Sequence, residues 1–247
     1  MSASSILSGK RVLVTGGAGG VGRAVAARML EAGAHVLITD RPGTDMPAAV
    51  SELGAGHCLH AFAADLSTSA GIAELFEAVD RQLGGLDVLV AAAGVGSGPL
   101  MEMDDAGWRY VLASNLGSYV GCTRAAIERI RAAGTDEGLI VLVGSISVHI
   151  KAVGESVYNA AKGGVASFAE TLRKELMPER IRLTLIEPGA IGSAMQPFSA
   201  EERGRLVEEF QMLPPAEVAD AIMYAASRPR GVDVVTLRIE PLHQKIV

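Results

Sequence analysis

In the segment YNAAKGG, residues 158–164, a phenol and an ammonium stand four positions apart among small, helix-compatible residues. On a helix this is a little over one turn, so Tyr158 and Lys162 share a face and can interact. A free tyrosine, with a pKa of about 10, holds its proton at neutral pH and is a poor base. A nearby ammonium favours the phenolate and lowers that value, which makes the phenol able to take or give a proton near neutrality. Ser145 lies 13 positions before Tyr158 at the end of an apolar run, where its hydroxyl can hydrogen-bond a substrate oxygen and fix its approach.

A second group of residues suits phosphate and ribose. TGGAGGVG, residues 15–22, leaves an apolar run and opens a helical segment, with Gly16, Gly20 and Gly22 where a turn and close backbone approach are needed. Free N–H groups at this helix start, those around Gly20, Val21 and Gly22, together with the helix dipole, suit a pyrophosphate. Asp40 ends the next apolar run, roughly 20 residues on, where a carboxylate can accept hydrogen bonds from both hydroxyls of an adenosine ribose. A 2′-phosphate there would meet a negative charge. Arg41 is adjacent and could pair with such a phosphate, but no basic residue interrupts residues 15–22, so Asp40 should dominate. The expected cofactor is NAD(H), in preference to NADP(H).

These residues need strands and helices to bring them together. RVLVTG, HVLITD, HCLHAFAAD, DVLVAAAG, LIVLVGS, IRLTLIEPG and VDVVTLRI are short runs rich in Val, Ile and Leu. Such near-continuous hydrophobicity means strands covered on both faces, as in a parallel sheet. Between them lie segments with helical spacing, such as VGRAVAARMLEAGA, STSAGIAELFEAVDRQLGG and VYNAAKGGVASFAETLRKELMPER, two of them ended by glycines. Alternation of strand and helix predicts an open, doubly wound α/β sheet with helices on both sides. The run ends deliver, in order, Thr15 with the glycine cluster, Asp40, Asp65, the AAAG segment, Ser145 and EPG. Open α/β sheets bind ligands outside the carboxyl ends of their strands, so these ends predict one continuous site.

Bulk properties narrow the alternatives. The 247 residues are 49% hydrophobic and 20% charged, without a linker, charge block or repeat, which predicts one domain over residues 1–247. A net charge of −6 and 4% aromatics argue against a nucleic-acid partner or an anionic membrane. Cys58 and Cys122 lack CxxC spacing and read as reduced, buried thiols. His57 and His60 flank Cys58 an odd number of positions apart, which points them to opposite faces of a strand, so no metal is expected. His149 reads as a loop residue near the pocket. With no run long enough for a signal peptide or a membrane span, the expected location is cytoplasmic.

The ordered set TGGAGGVG, Asp65 in ADLS, AAAG at 91–94, Asn115 in SNLGS, Ser145 in GSIS, YNAAK and EPGAIGSAM resembles the short-chain dehydrogenase/reductases over nearly the whole chain. That resemblance implies a Rossmann-like, mostly parallel sheet of seven strands, a nicotinamide cofactor, and hydride exchange between an alcohol and a carbonyl. It implies a catalytic set of Asn115, Ser145, Tyr158 and Lys162. Lys162 would also grip the nicotinamide ribose, and Asn115, within a long helix of about 105 to 133, would hold a water linking Lys162 to solvent. By the same resemblance Asp65 and Leu66 flank the adenine, Ala92, Ala93 and Gly94 offer backbone contacts, and Pro188, Ile191 and Ser193 touch the nicotinamide half.

Two places depart from the family's pattern. Positions 91 and 92 are alanines where two asparagines commonly tie neighbouring loops, and the tail RIEPLHQKIV replaces a glycine-rich ending. Residues 190–213 read as a mobile lid whose apolar members favour a medium-sized, partly hydrophobic secondary alcohol or ketone, while Arg203, Arg205 and Lys151 keep a hydroxy acid open. The competing readings are an NADPH-dependent reductase of 3-oxo or 3-hydroxy acids using Arg41, and a cofactor-binding regulator with vestigial chemistry. Pairing through the long helices, about 105 to 133 and 156 to 177, makes a homodimer or homotetramer the expected assembly.

Overall fold

The computed structural model describes residues 6–54, 56–135 and 137–244. Seven strands form one sheet: β1 (Arg11–Thr15), β2 (His35–Asp40), β3 (Leu59–Ala63), β4 (Val88–Ala91), β5 (Leu139–Val143), β6 (Arg182–Pro188) and β7 (Thr236–Ile239). Their order is β3-β2-β1-β4-β5-β6-β7 and every pair is parallel. The chain is thus an open, doubly wound α/β fold of Rossmann type, as its residue pattern predicts. Strand order reverses between β1 and β4, which opens a crevice beyond their carboxyl ends.

Successive side chains of a strand point to opposite faces, and here both faces are covered. Leu13, Leu37, Leu89 and Ile140 pack with Phe76 of α3 (Ser69–Leu83), Ile130 of α5 (Ser118–Ala132) and Val165 of α7 (Ser156–Leu176). Val12, Val36, Val90 and Val141 pack instead with Met29 of α1 (Gly20–Glu31), Ala49 of α2 (Met46–Leu53) and Ile222 of α9 (Pro215–Ala226). The remaining helices are α4 (Asp105–Leu112), the short α6 (Ser147–Ile150) and α8 (Ala200–Glu208). Local chemistry marks the helix ends. Thr68 and Asp104 cap α3 and α4 with their side-chain oxygens, and Gly84 closes α3 in the left-handed region at φ 68°. At the amino rim of the sheet the Arg11 guanidinium grips Asp87 with two hydrogen bonds of 2.8 and 2.9 Å. Burial works against the Asp87 charge, but the Arg11 bonds outweigh it and hold this carboxyl below its usual range.

Three boundaries differ from expectation. His57 and Cys58 lie in a 3₁₀ turn, Gly56–Cys58, so only Leu59–Ala63 of HCLHAFAAD is strand, in register with β2. Likewise VDVV precedes β7, which begins only where it can pair with Leu185. The helix expected over 105–133 is two helices joined by a π turn, Ala113–Gly117. There the Ser118 amide reaches back to Ala113, and the Ser118 hydroxyl donates to the Ser114 carbonyl at 2.6 Å. Among the described residues no helix is long and apolar enough to cross a membrane, and no group of His, Cys, Asp and Glu could hold a metal.

Candidate active site

The glycine loop joins β1 to α1. Gly16 sits at φ 72°, and a Cβ there would stand 3.0 Å from the backbone of Ala92 and Ala93. A Cβ on Gly22 would strike the Gly16 carbonyl, so helix α1 can start this close to the turn only with glycine. Gly19 caps α1 without a side chain, and no acid occupies its first turn, which leaves the N–H groups at the helix start to a ligand. Asp40 is tied to the same loop: one carboxylate oxygen accepts from the Ala18 amide at 3.1 Å, the other from the Arg41 amide at 2.8 Å. A cradle closed to any Cβ, a bare helix start and an anchored carboxylate fit the diphosphate and ribose of a dinucleotide.

The end of β4 is stiffened by a residue the sequence reading placed only as a strand end. The Thr15 hydroxyl accepts from the Ala92 and Ala93 amides, each at 3.1 Å, and so provides a tie between loops where the alanines cannot. These two N–H groups are therefore committed, and any cofactor contact here falls to the carbonyls and to Gly94. Asn115, fully buried in the π turn, is equally committed. Its amide donates to the Val95 carbonyl at 2.7 Å and accepts from the Val95 amide at 2.8 Å, so this side chain is a splint for the β4 loop and makes no bond to Lys162. Asp65 accepts from the Ser67 amide and hydroxyl at 3.0 and 2.7 Å, and Leu66 beside it is buried.

Ser145 follows β5 and Tyr158 stands in the first turn of α7. The Ser145 hydroxyl stands close enough to the Tyr158 phenol to pull its pKa down, while the Ser147 amide donates to the Ser145 hydroxyl at 3.1 Å. Lys162, one turn along α7, is only 4% exposed. Its Nζ lies 5.8 Å from the centre of the Tyr158 ring but donates elsewhere, to the Val143 carbonyl at 2.8 Å and the Tyr119 hydroxyl at 3.1 Å. Burial, the dominant effect, raises the Tyr158 pKa, the Ser145 bond pulls it down and Glu155 pushes it up. Burial also brings the Lys162 ammonium down to about 7. Lys162 is not among the groups that shift Tyr158: its own burial weakens the ammonium, which donates to Val143 and Tyr119.

The loop after β6 completes the rim. Leu213 donates to the Ala190 carbonyl at 2.8 Å and Gly192 to the Leu213 carbonyl at 2.9 Å, a bridge that turns the Ile191 N–H to the opposite side. Ser193 approaches the glycine loop, since a Cβ on Gly20 would lie 3.4 Å from its Cβ. Pro188 is buried at the end of β6, and its carbonyl accepts from the Ile146 amide at 2.9 Å. Just before it the buried Glu187 meets His149 at 3.0 Å, which pins the turn between Ser145 and Tyr158 to the sheet. The Gln244 side chain accepts from the Ala190 amide at 2.8 Å, so the atypical tail braces the same loop.

Tyr119, Thr15, Glu187 and Gln244 are the residues whose site contacts sequence reasoning missed. The one signal available for Thr15 was its place directly before the glycines. Nothing distinguishes Tyr119 from an ordinary core aromatic.

Residues 10–204 match the family model described as short chain dehydrogenase. Bovine dehydrogenase/reductase SDR family member 11 is 30% identical over 94% of this chain and 96% of its own. Farnesol dehydrogenase of Aedes aegypti is 30% identical over 96% and 98%. A metagenomic short-chain oxidoreductase solved in complex with NADP is 29% identical, with a TM-score of 0.80 over 96% of this chain and 98% of that one.

Proposed function

Because the chain belongs to the short-chain dehydrogenase family, we propose that it exchanges a hydride between NAD(H) and a secondary alcohol or ketone, with Tyr158 as the acid and base. The observation that carries this reading is the placing of the Ser145 hydroxyl beside the Tyr158 phenol, with the Lys162 nitrogen 5.8 Å from the phenol ring. A bound nicotinamide supplies or accepts the hydride. Ser145 holds the substrate oxygen, and Tyr158 gives its proton to a carbonyl being reduced or takes one from an alcohol being oxidised. Burial keeps Tyr158 protonated at rest, the form that gives a proton to a carbonyl. Asn115 serves by splinting Val95, and Lys162 by presenting a cation to the phenol and to the ribose.

Family membership does not choose between the two nicotinamide cofactors, since a relative was solved with NADP. Asp40 supports NAD(H), because both its oxygens are pinned by backbone donors and a 2′-phosphate would have to approach a fixed carboxylate. The rim supports an apolar substrate: Leu100, Val153, Met195 and Phe198 are exposed within residues 96–100, 146–153 and 190–213, and Met101 is exposed next to the first of these. Arg203 is turned to the Phe198 carbonyl at 2.5 Å, which weakens the case for a hydroxy acid. Residues 190–213 would act as the lid. The groove between α5 and α7, lined by Val120, Ile127, Phe168 and Leu172, suits pairing of two copies, which light scattering on the purified protein would test.

The deciding experiment is a screen of secondary alcohols and ketones with each cofactor, run on wild type, Tyr158→Phe and Asp40→Ala. Tyr158→Phe should lose turnover by at least about 100-fold while still binding NAD(H). Asp40→Ala should narrow the preference for NAD(H). Full activity of Tyr158→Phe would remove the mechanism, and tighter NADPH binding by wild type would reverse the cofactor assignment.

A further inference from the structure

Lys162 is held in an arrangement that the four expected catalytic residues do not explain. Its Nζ reaches past Tyr158 to a phenol on α5: Tyr119, 1% exposed, whose oxygen lies 3.1 Å away and whose ring centre lies 4.6 Å from the nitrogen. The Tyr119 hydroxyl spends its only proton on the Val143 carbonyl, at 2.9 Å, so toward Lys162 it can only accept. Since a carbonyl passes no proton on, this chain of bonds ends there and is no proton relay. Its three members form a closed triangle, because Lys162 also donates to Val143 at 2.8 Å. An ammonium taken out of water needs acceptors in place of its hydration, and the triangle provides two of them.

We propose that Tyr119 is a positioning residue for the catalytic pair: its buried hydroxyl fixes the Lys162 side chain and sustains its positive charge beside Tyr158. Asn115 does not supply that acceptor: its side chain is bonded to Val95 at both ends, and Lys162 donates to Tyr119 and Val143. Removing the hydroxyl leaves the ammonium with the Val143 carbonyl alone, and the neutral amine becomes the favoured form at neutral pH. Tyr158 then loses its cationic neighbour. That catalytic consequence rests on the function proposed above, whereas the behaviour of the lysine itself does not.

The ionisable groups around the triangle are Tyr119 and Cys122 on α5, Tyr158 on α7 and Glu155 at its start. Burial pushes the Cys122 thiol up to about 12 and the Tyr119 phenol higher still, so neither changes charge between pH 5 and roughly 10. A titration of Lys162 in that window is therefore readable. In protein labelled with ¹³Cε-lysine, without cofactor, the Lys162 signal is assigned by its loss in Lys162→Met and followed by NMR from pH 5 to 10. Tyr119→Phe keeps the ring and should lower the lysine midpoint by about one to two pH units, the worth of one hydrogen bond to a buried charge. An unchanged midpoint overturns the proposal. Should Tyr119→Phe not fold, the ¹³Cζ signal of Tyr119 in wild type must move with the Lys162 midpoint, and a Tyr119 signal indifferent to it overturns the proposal equally. Turnover of Tyr158→Phe is measured in parallel. If that variant is inactive while the midpoint is unmoved, only the role of Tyr119 falls; if it is active, the proposed reaction falls and the titration still judges Tyr119.

Discussion

Lys162→Met should change how stability depends on pH, with a sign fixed by the burial of this lysine. The group titrates near 7 in the folded protein against an ordinary value of 10.5. Between those values the unfolded chain binds more protons than the folded one, so stability rises with pH across this window. Put the other way, the penalty for burying the charge is absent above about 10.5, grows as the pH falls, and is complete below about 7. One pH unit within the window is worth about 1.4 kcal/mol. Lys162 is 4% exposed, so no allowance for solvent screening is needed. From pH 7.5 to 9.5 wild type should gain about 2.5 kcal/mol relative to Lys162→Met, a relative shift of about 1 M in urea midpoint. Methionine removes the titration and leaves Tyr119 bonded to Val143, so any constant offset from repacking does not alter the slope. Other groups, such as Cys122, are common to both proteins and cancel. Urea unfolding of the pair at pH 7.5, 8.5 and 9.5 measures the difference directly. Two stability curves that stay parallel across this range would refute a lysine that titrates near 7 in the folded site.

Thr15→Val should cost about 2 to 4 kcal/mol by equilibrium unfolding, because two backbone amides at the end of β4 lose their shared acceptor. Asn115→Ala should cost a similar amount, about 2 to 4 kcal/mol, and hydrogen exchange at the Val95 amide should quicken selectively. Gly22→Ala forces the glycine loop open against the Gly16 carbonyl, and cofactor affinity by calorimetry should fall at least about tenfold.

Strands buried on both faces announce themselves as unbroken apolar runs, and this made the sheet readable from Val12, Val36, Val90 and Val141 and their neighbours. Strand ends were not readable, because pairing stops where the adjacent strand stops: His57 and Cys58 continue an apolar run yet have no place beside β2. The π turn escaped for a related reason. There the Ser118 hydroxyl takes the Ser114 carbonyl while the Ser118 amide reaches back to Ala113, and no helical periodicity contains that. At the site, spacing correctly set Tyr158 and Lys162 on one face of α7. It could not say which acceptor the ammonium would choose, since that depends on Val143 and Tyr119, 19 and 43 positions away along the chain. Tyr119 itself lies in a stretch of small and apolar residues, and its polar tip gains meaning only once α5 is packed beneath β5.

The grip of Arg11 on Asp87 lies at the rim opposite to all of the proposed chemistry. A parallel sheet gives every strand the same direction, so the proposed reactive groups gather at one margin. Thermal tolerance and reactivity are therefore separately adjustable in this molecule. Reinforcing the Arg11 margin would harden the scaffold without touching turnover, whereas the same effort spent near Gly22 or Asn115 would alter both at once.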